Sequence, residues 1–332
     1  MSFSTTLSEP ATGRVIWSEE FSVSNNNWFE SQRLLVRKIA AHLHIYLSSD
    51  RLRRAISRED SGESDHAEWL KGEHLLSEWN NRAEDEAALI FERIIKRSPD
   101  FAPAYASLAG IYNVRHLIRP GSPLDAEKER RGLELGRRAV ALDALDSRNH
   151  LTLAWSLAMT GAYEQASAHY DLAASLNPSS PNLLVSCAQG MAFAGSPERA
   201  AELLGDALTL APFLLKHQWC YVASTLALTG DYEGGVKAAQ RGEDAILDTP
   251  GWRAVCLAHL GRIDEAQAAF DEQVELVRPL WAGRGKPTVE AVRDWFLAAF
   301  PIGRDSDRKK LRRAFDTLIA PRSTLQDAKS MS

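Results

Sequence analysis

Residues 161–181 read GAYEQASAHYDLAASLNPSSP, and residues 195–215 read GSPERAAELLGDALTLAPFLL. Nearly every polar letter differs between the two, yet small and large residues keep their places. A small residue stands five positions after the leading glycine (Ala166, Ala200). A large one follows four further on (Tyr170, Leu204), and a proline stands twelve after the small residue (Pro178, Pro212). The beat continues outward, because Gly161, Gly195, Gly230 and Gly261 are separated by 34, 35 and 31 residues. Ala266 with Phe270 repeats the small–large step, Gly235 keeps the small place with Ala239 four further on, and upstream Ala87, Phe91 and Pro99 follow the same offsets. A fixed period of this length marks a solenoid, in which a unit buries its apolar face only by stacking on its neighbours.

The spacing has a physical reading. Leu153, Leu157 and Thr160 fall on one face of a first helix, and Ala166, Tyr170 and Ala173 on one face of a second. Small residues let paired helices approach, large ones fill the gap, and proline ends the second helix. Ser180-Pro181 and Ser196-Pro197 read as N-cap serines with proline at the first helical position. These offsets resemble the 34-residue tetratricopeptide repeat (TPR). About six units can be laid out: 68–101, a second from Ala102 with a long insertion near 115–130, 147–180, 181–214, 216–248 and 249–280. The predicted fold is all-α: an α–α superhelix with a short N-terminal β-strand and helix and a C-terminal helical cap.

Bulk properties bound the function. At 332 residues with 45% apolar and 25% charged side chains, the chain has the composition of a folded array rather than a disordered one. A net charge of −5 gives no electrostatic case for direct nucleic-acid binding. Cys187, Cys220 and Cys256 lie in apolar stretches without a CxxC, so they read as buried small hydrophobes, not as a disulfide framework or a zinc site. No stretch reaches the roughly 18 apolar residues of a membrane span. The N-terminus MSFSTTLSEPATGR lacks the apolar core of a signal peptide. A cytoplasmic location is expected.

The ends follow other rules. RVIWSEEFSV (14–23) alternates as a strand, and WFESQRLLVRKIAAHLHIYL (28–47) has the period of a helix. A lone strand leaves its edges unsatisfied. It is expected either to pair outside this chain, which leaves room for a homodimer, or to be the last strand of an absent domain. Domain boundaries are expected as a strand–helix remnant over 1–50, a linker over 51–67, the array over 68–280, a cap over 281–320 and a flexible tail over 321–332. In WAGRGKPT (281–288), the GRGK is not a phosphate loop, since Leu280 and Pro287 occupy required Gly and Ser/Thr positions. The run RKKLRR (308–313) reads first as the solvated face of the cap, and second as a phosphate- or partner-binding patch.

The stretches ATGRVIWSEEFSVSNNNWFESQRLLVRKIAAHL, LKGEHLLSEWNNRAEDEAALIFERIIKRSPDFAPAYASLAGIY and LAAFPIGRDSDRKKLRRAF resemble bacterial regulators in which a TolB-like α/β segment precedes a TPR array. In that family a winged-helix DNA-binding or nucleotide cyclase domain stands at the N-terminus. The resemblance implies the sensory or interaction half of such a regulator, without its effector domain.

No HExxH, GxSxG or GxGxxG occurs, and the nine histidines form no ligand set, so neither an enzyme nor a cofactor is expected. The candidate site is the concave groove lined by first helices. Helical phase nominates Arg148, Leu151 and Trp155, then Asn182, Val185, Gln189 and Ala192, then His217, Cys220, Ser224 and Ala227, with Trp252 and Val255 nearby in the sixth unit. Only Arg148 and Asn182 could grip a terminal carboxylate. The rest suits a helical or extended peptide, from a protein partner or from this chain's own terminal segment. Trp155 and Trp252 could equally be packing residues. A small-ligand or signal-peptide sensor, and a truncated regulator without present function, remain as alternatives.

Overall fold

A computed structural model of the chain describes residues 2–8, 15–22, 65–122, 125–211 and 214–330. Among the described residues six helix pairs follow one another along the array, and the insertion expected near 115–130 is largely taken up by longer helices that end at Ile118 and restart at Ala126. The pairs are α1 (Asp65–Leu76) with α2 (Asn81–Arg97), α3 (Ala102–Ile118) with α4 (Ala126–Leu142), and α5 (Ser147–Met159) with α6 (Tyr163–Leu176). They continue as α7 (Pro181–Ala194) with α8 (Pro197–Leu210), α9 (Lys216–Thr229) with α10 (Tyr232–Gly242), and α11 (Thr249–His259) with α12 (Ile263–Val277). First helices touch first helices from unit to unit, so they form the inner layer of a TPR-like solenoid. After a 3₁₀ turn at Arg278–Leu280 come α13 (Val289–Ala299) and α14 (Asp305–Ser330).

The repeated letters have identifiable duties. Gly161, Gly195, Gly230 and Gly261 all sit in the left-handed region, at φ 80°, 97°, 94° and 73°, where they end one helix and turn into the next. Ala166, Tyr170 and Ala173 are fully buried. The Tyr170 ring crosses α7 at Gly190 so closely that a Cβ there would lie 2.1 Å away. Phe91 lies on Gly72 of α1 in the same manner. Ser180 caps α7 by accepting from the Leu183 amide at 3.4 Å, whereas Ser196 occupies the cap position of α8 without a side-chain hydrogen bond. The helix starts there on Pro197, which needs no amide partner. One core cluster runs from Leu153 through the array to Leu318, and a second joins Trp69, Phe91, Ile111 and Leu135 in the first two units.

One expectation about the N-terminal end is corrected. Val15–Ser22 pairs antiparallel with Ser2–Ser8, in a register that sets Phe3 opposite Phe21 and Leu7 opposite Trp17. The strand read over 14–23 thus finds its partner inside the chain, in a stretch whose own alternation is masked by serine and threonine. The stretch read as a tail from 321 is helical backbone as far as Ser330, continuing a helix that its docked first turns have already nucleated. The helix expected over 28–47 and most of the linker over 51–67 lie outside the described residues.

Candidate functional site

Arg148, Leu151 and Trp155 share one face of α5, as their three- and four-residue spacing requires. The Arg148 fork grips Asp146, with Nη2 at 2.7 Å from one oxygen and Nε at 3.2 Å from the other. Its guanidinium lies 4.9 Å over the ring of Trp69 on α1. The Trp69 indole donates to Ser107 Oγ at 2.8 Å, and that hydroxyl donates to Glu73 at 2.6 Å. Burial raises the Glu73 carboxyl above its ordinary range, against the Ser107 hydrogen bond and the charge of Arg148. A polar chain therefore links the first helices of units one, two and three. Leu151 and Trp155 continue from it as half-buried apolar surface. Gly110 holds in α3 the phase that Trp155 holds in α5, and a Cβ built on it meets nothing within 4 Å. The middle of this face is open.

Further along, Asn182 is exposed at the first turn of α7. His217, half-buried on α9 and shifted toward its neutral form by burial, stands edge-on to Tyr221 at 5.9 Å. Tyr221 in turn meets the edge of Trp79 at 6.4 Å, so the turn after α1 reaches across to the fifth unit.

The far half of the predicted lining is closed. Gln189, Ser224 and Trp252 are 7%, 0% and 0% exposed, and Val185, Ala192, Cys220, Ala227 and Val255 are buried with them. Gln189 donates to Ser224 at 2.9 Å, and Trp252 donates to Asp248 at 2.8 Å. These residues are core, not accessible groove. Part of the cover is the segment 281–304, a strap that packs on Phe193 and Trp252, whereas Ala227 and Val255 lie beside Leu311 of α14 and Gln189 and Ser224 are buried against each other. Phe300 enters among Phe193, Trp252 and Phe296, with ring centres 5.3, 4.9 and 5.2 Å away. The Gly303 amide donates to Phe193 O at 2.7 Å, and the Tyr163 hydroxyl donates to Ile302 O at 3.4 Å. At its near end the Ala282 amide donates to Pro120 O at 2.8 Å. Trp295 Nε1 donates to His116 O at 3.0 Å, and His116 Nε2 donates to Ala299 O. Burial lowers His116 to about 4, which keeps it neutral. Beyond the strap, α14 buries Leu311, Ala314, Phe315 and Leu318 and exposes Arg308, Lys309, Lys310, Arg312 and Arg313.

The nominated residues start in the third unit and leave out Trp69, while Glu73 and Ser107 both stand at the sixth place of their units, off the nominated phase. Trp69 holds in its unit the place of Arg148, so extending the phase to residue 68 would have found it. The strap carried no such mark. Cys187, Cys220 and Cys256 are free and buried. Among the described residues, no three His, Cys, Asp or Glu side chains converge to hold a metal, and no helix is long and apolar enough to cross a membrane.

No family model matches the chain, and no curated protein does. Solved structures do. A monomeric mutant of IFIT1 with Gppp-AAAA aligns over 93% of this chain and 73% of its own, at 13% identity and TM-score 0.54. The human IFIT1 dimer with m7Gppp-AAAA aligns over 71% and 53%, at 18% identity and TM-score 0.51. The crystal structure of the APC/C hetero-tetramer Cut9-Hcn1 aligns over 86% at 15% identity and TM-score 0.50, and this chain spans 48% of that one. At these identities the likeness is one of fold: an α–α superhelix of the TPR type.

Proposed function

We propose that this chain is a non-catalytic interaction module of a bacterial signalling or transcription regulator, working in the cytoplasm, and that it takes a helical or extended peptide along the near half of its groove. The observation that carries the reading is the asymmetry of the inner layer. In the far half the chain's own strap already packs on Phe193 and Trp252, through a main-chain hydrogen bond and one buried aromatic anchor. The near half offers the same apolar layer uncovered at Gly110, with Leu151 and Trp155 alongside and the Arg148–Trp69 pair at its lip. A helix or strand with an apolar face and a carboxylate near one end has the complementary chemistry.

The test is selection from a displayed random peptide library on the full chain, followed by affinity measurement. Arg148→Ala removes the exposed cation, and Gly110→Leu fills the open face while favouring the helix. Each should weaken the selected peptides by about tenfold or more. A library that yields no saturable binder, or binders indifferent to both variants, would overturn the proposal.

A further inference from the structure

Where the strap meets the second unit there is a separate cavity of about 350 Å³. Its walls are the indoles of Trp281 and Trp295, the α13 alanines Ala291 and Ala298, and His116 and Ser122. The volume lies within the range of small-molecule pockets, about 300–1,000 Å³. The walls are held in place before any ligand arrives. Trp281 lies so close on Gly121 and Gly283 that a Cβ on either would stand 2.5 Å from its ring. Trp295 is fixed by its hydrogen bond to His116 O.

The chemistry of the lining is selective. None of these side chains carries a formal charge, since the one titratable group, His116, is buried and neutral. The His116 Nε2–H is committed to Ala299 O and the Trp295 N–H to His116 O. An ion seated against these walls would shed part of its water without meeting a counter-charge in the lining. A flat apolar molecule meets two indoles with which it can stack, and two small side chains at a seven-residue spacing that leave room for it. Ser122 and the second nitrogen of His116 are the side-chain polar groups left for orientation.

We propose that this cavity is a binding site for a neutral, planar aromatic small molecule seated against Trp281, Trp295 and the alanine face of α13. The site is distinct from the peptide groove, and its fate does not depend on that reading. Its walls come from segments far apart in the sequence, residues 116–122 and 281–299, so an occupant adds contacts across the closure and strengthens it.

The experiment titrates the full chain with N-phenyl-naphthylamine, a neutral dye that fluoresces in apolar surroundings, and in parallel with its anionic relative anilinonaphthalene sulfonate. The expected result is saturable one-to-one binding of the neutral dye, with quenching of tryptophan emission, a raised Tm, and binding of the sulfonate weaker by about tenfold or more. Ala298 is exposed on α13, so Ala298→Trp fills the cavity from its rim without disturbing the core, and Ala291→Leu fills it from a second position. Both variants, once circular dichroism shows wild-type helix content, should lose binding by about tenfold. No saturable binding, equal affinity for the sulfonate, or affinity within about twofold of wild type in both variants would overturn the proposal.

Discussion

Truncating Phe300 to alanine attacks the strap at its anchor. The ring is 8% exposed and has three aromatic neighbours, Phe193, Trp252 and Phe296, each within 5.3 Å between centres. Removing a buried phenylalanine costs about 3–5 kcal/mol, and because this ring is not fully enclosed the lower end, about 3 kcal/mol, applies. The loss falls on a docked segment rather than on a helix pair. It should therefore appear as local opening of the strap, with its opening equilibrium raised by about a hundredfold. Hydrogen exchange reads this directly. The amide of Gly303, which donates to Phe193 O, should lose protection by that factor, and that of Ala282, which donates to Pro120 O, should follow. Amides of α2 in the first unit should keep their rates, because units of a solenoid feel mainly their neighbours. Leu145→Ala serves as a control, since Leu145 is 80% exposed and its loss should stay within about 0.5 kcal/mol. Unchanged exchange at Gly303, or a uniform loss across all six units, would refute the docking argument.

Other outcomes follow from the same packing. Gly190→Ala puts a methyl group into the Tyr170 ring and should destabilise by about 1–3 kcal/mol, seen in urea denaturation. Gly161→Ala meets no atom but must hold φ at 80°, so it should cost about 1–2 kcal/mol through backbone strain alone, with tertiary fluorescence unchanged. His116 binds its proton at about 4 when folded against 6.5 when unfolded, so its contribution is present above 6.5 and is lost as pH falls toward 4, by about 3 kcal/mol in all. Asp248, pushed up to about 6 from 3.8 by burial, runs the opposite way and costs stability as pH rises through that window. The measurement is therefore a difference. The stability gap between wild type and His116→Gln should shrink by about 3 kcal/mol between about pH 7 and pH 4, and a constant gap would contradict the assignment.

The array was legible because its contacts are local and periodic. Tyr170 meets Gly190 one unit on, Phe91 meets Gly72 within its unit, and each such step leaves the same size pattern in the chain. The groove lining leaves room for the chain's own terminal segment, but nothing in the sequence marks 281–304 as that segment. His116 and Ala299 are 183 residues apart, and Tyr163 and Ile302 are 139 apart, with no repetition to advertise either pair. Phase alone also cannot separate a lining residue from a covered one. Trp155 and Trp252 could each be lining or packing in the sequence, and in the structure both meet Phe193 but Trp252 also meets Phe300 and is fully buried. The β-hairpin partner went unread for a different reason, because Ser2–Ser8 carries too few apolar residues to show an alternation.

The strap also changes how the array can deform. Units stacked in series share any imposed bend, and the softest junction takes most of it. A tie that runs from residues 116–120 to 282–299 acts in parallel with four of those junctions, so their combined compliance is capped by the tie. The first unit lies outside it, meeting the far side of the groove through the edge of Trp79 on Tyr221. Flexing should therefore concentrate at the joint between the first and second units, where Trp69 and Glu73 on one side meet Ser107 on the other. A partner that bends this molecule would do so at that lip, leaving the strapped turns beyond it to move as one piece.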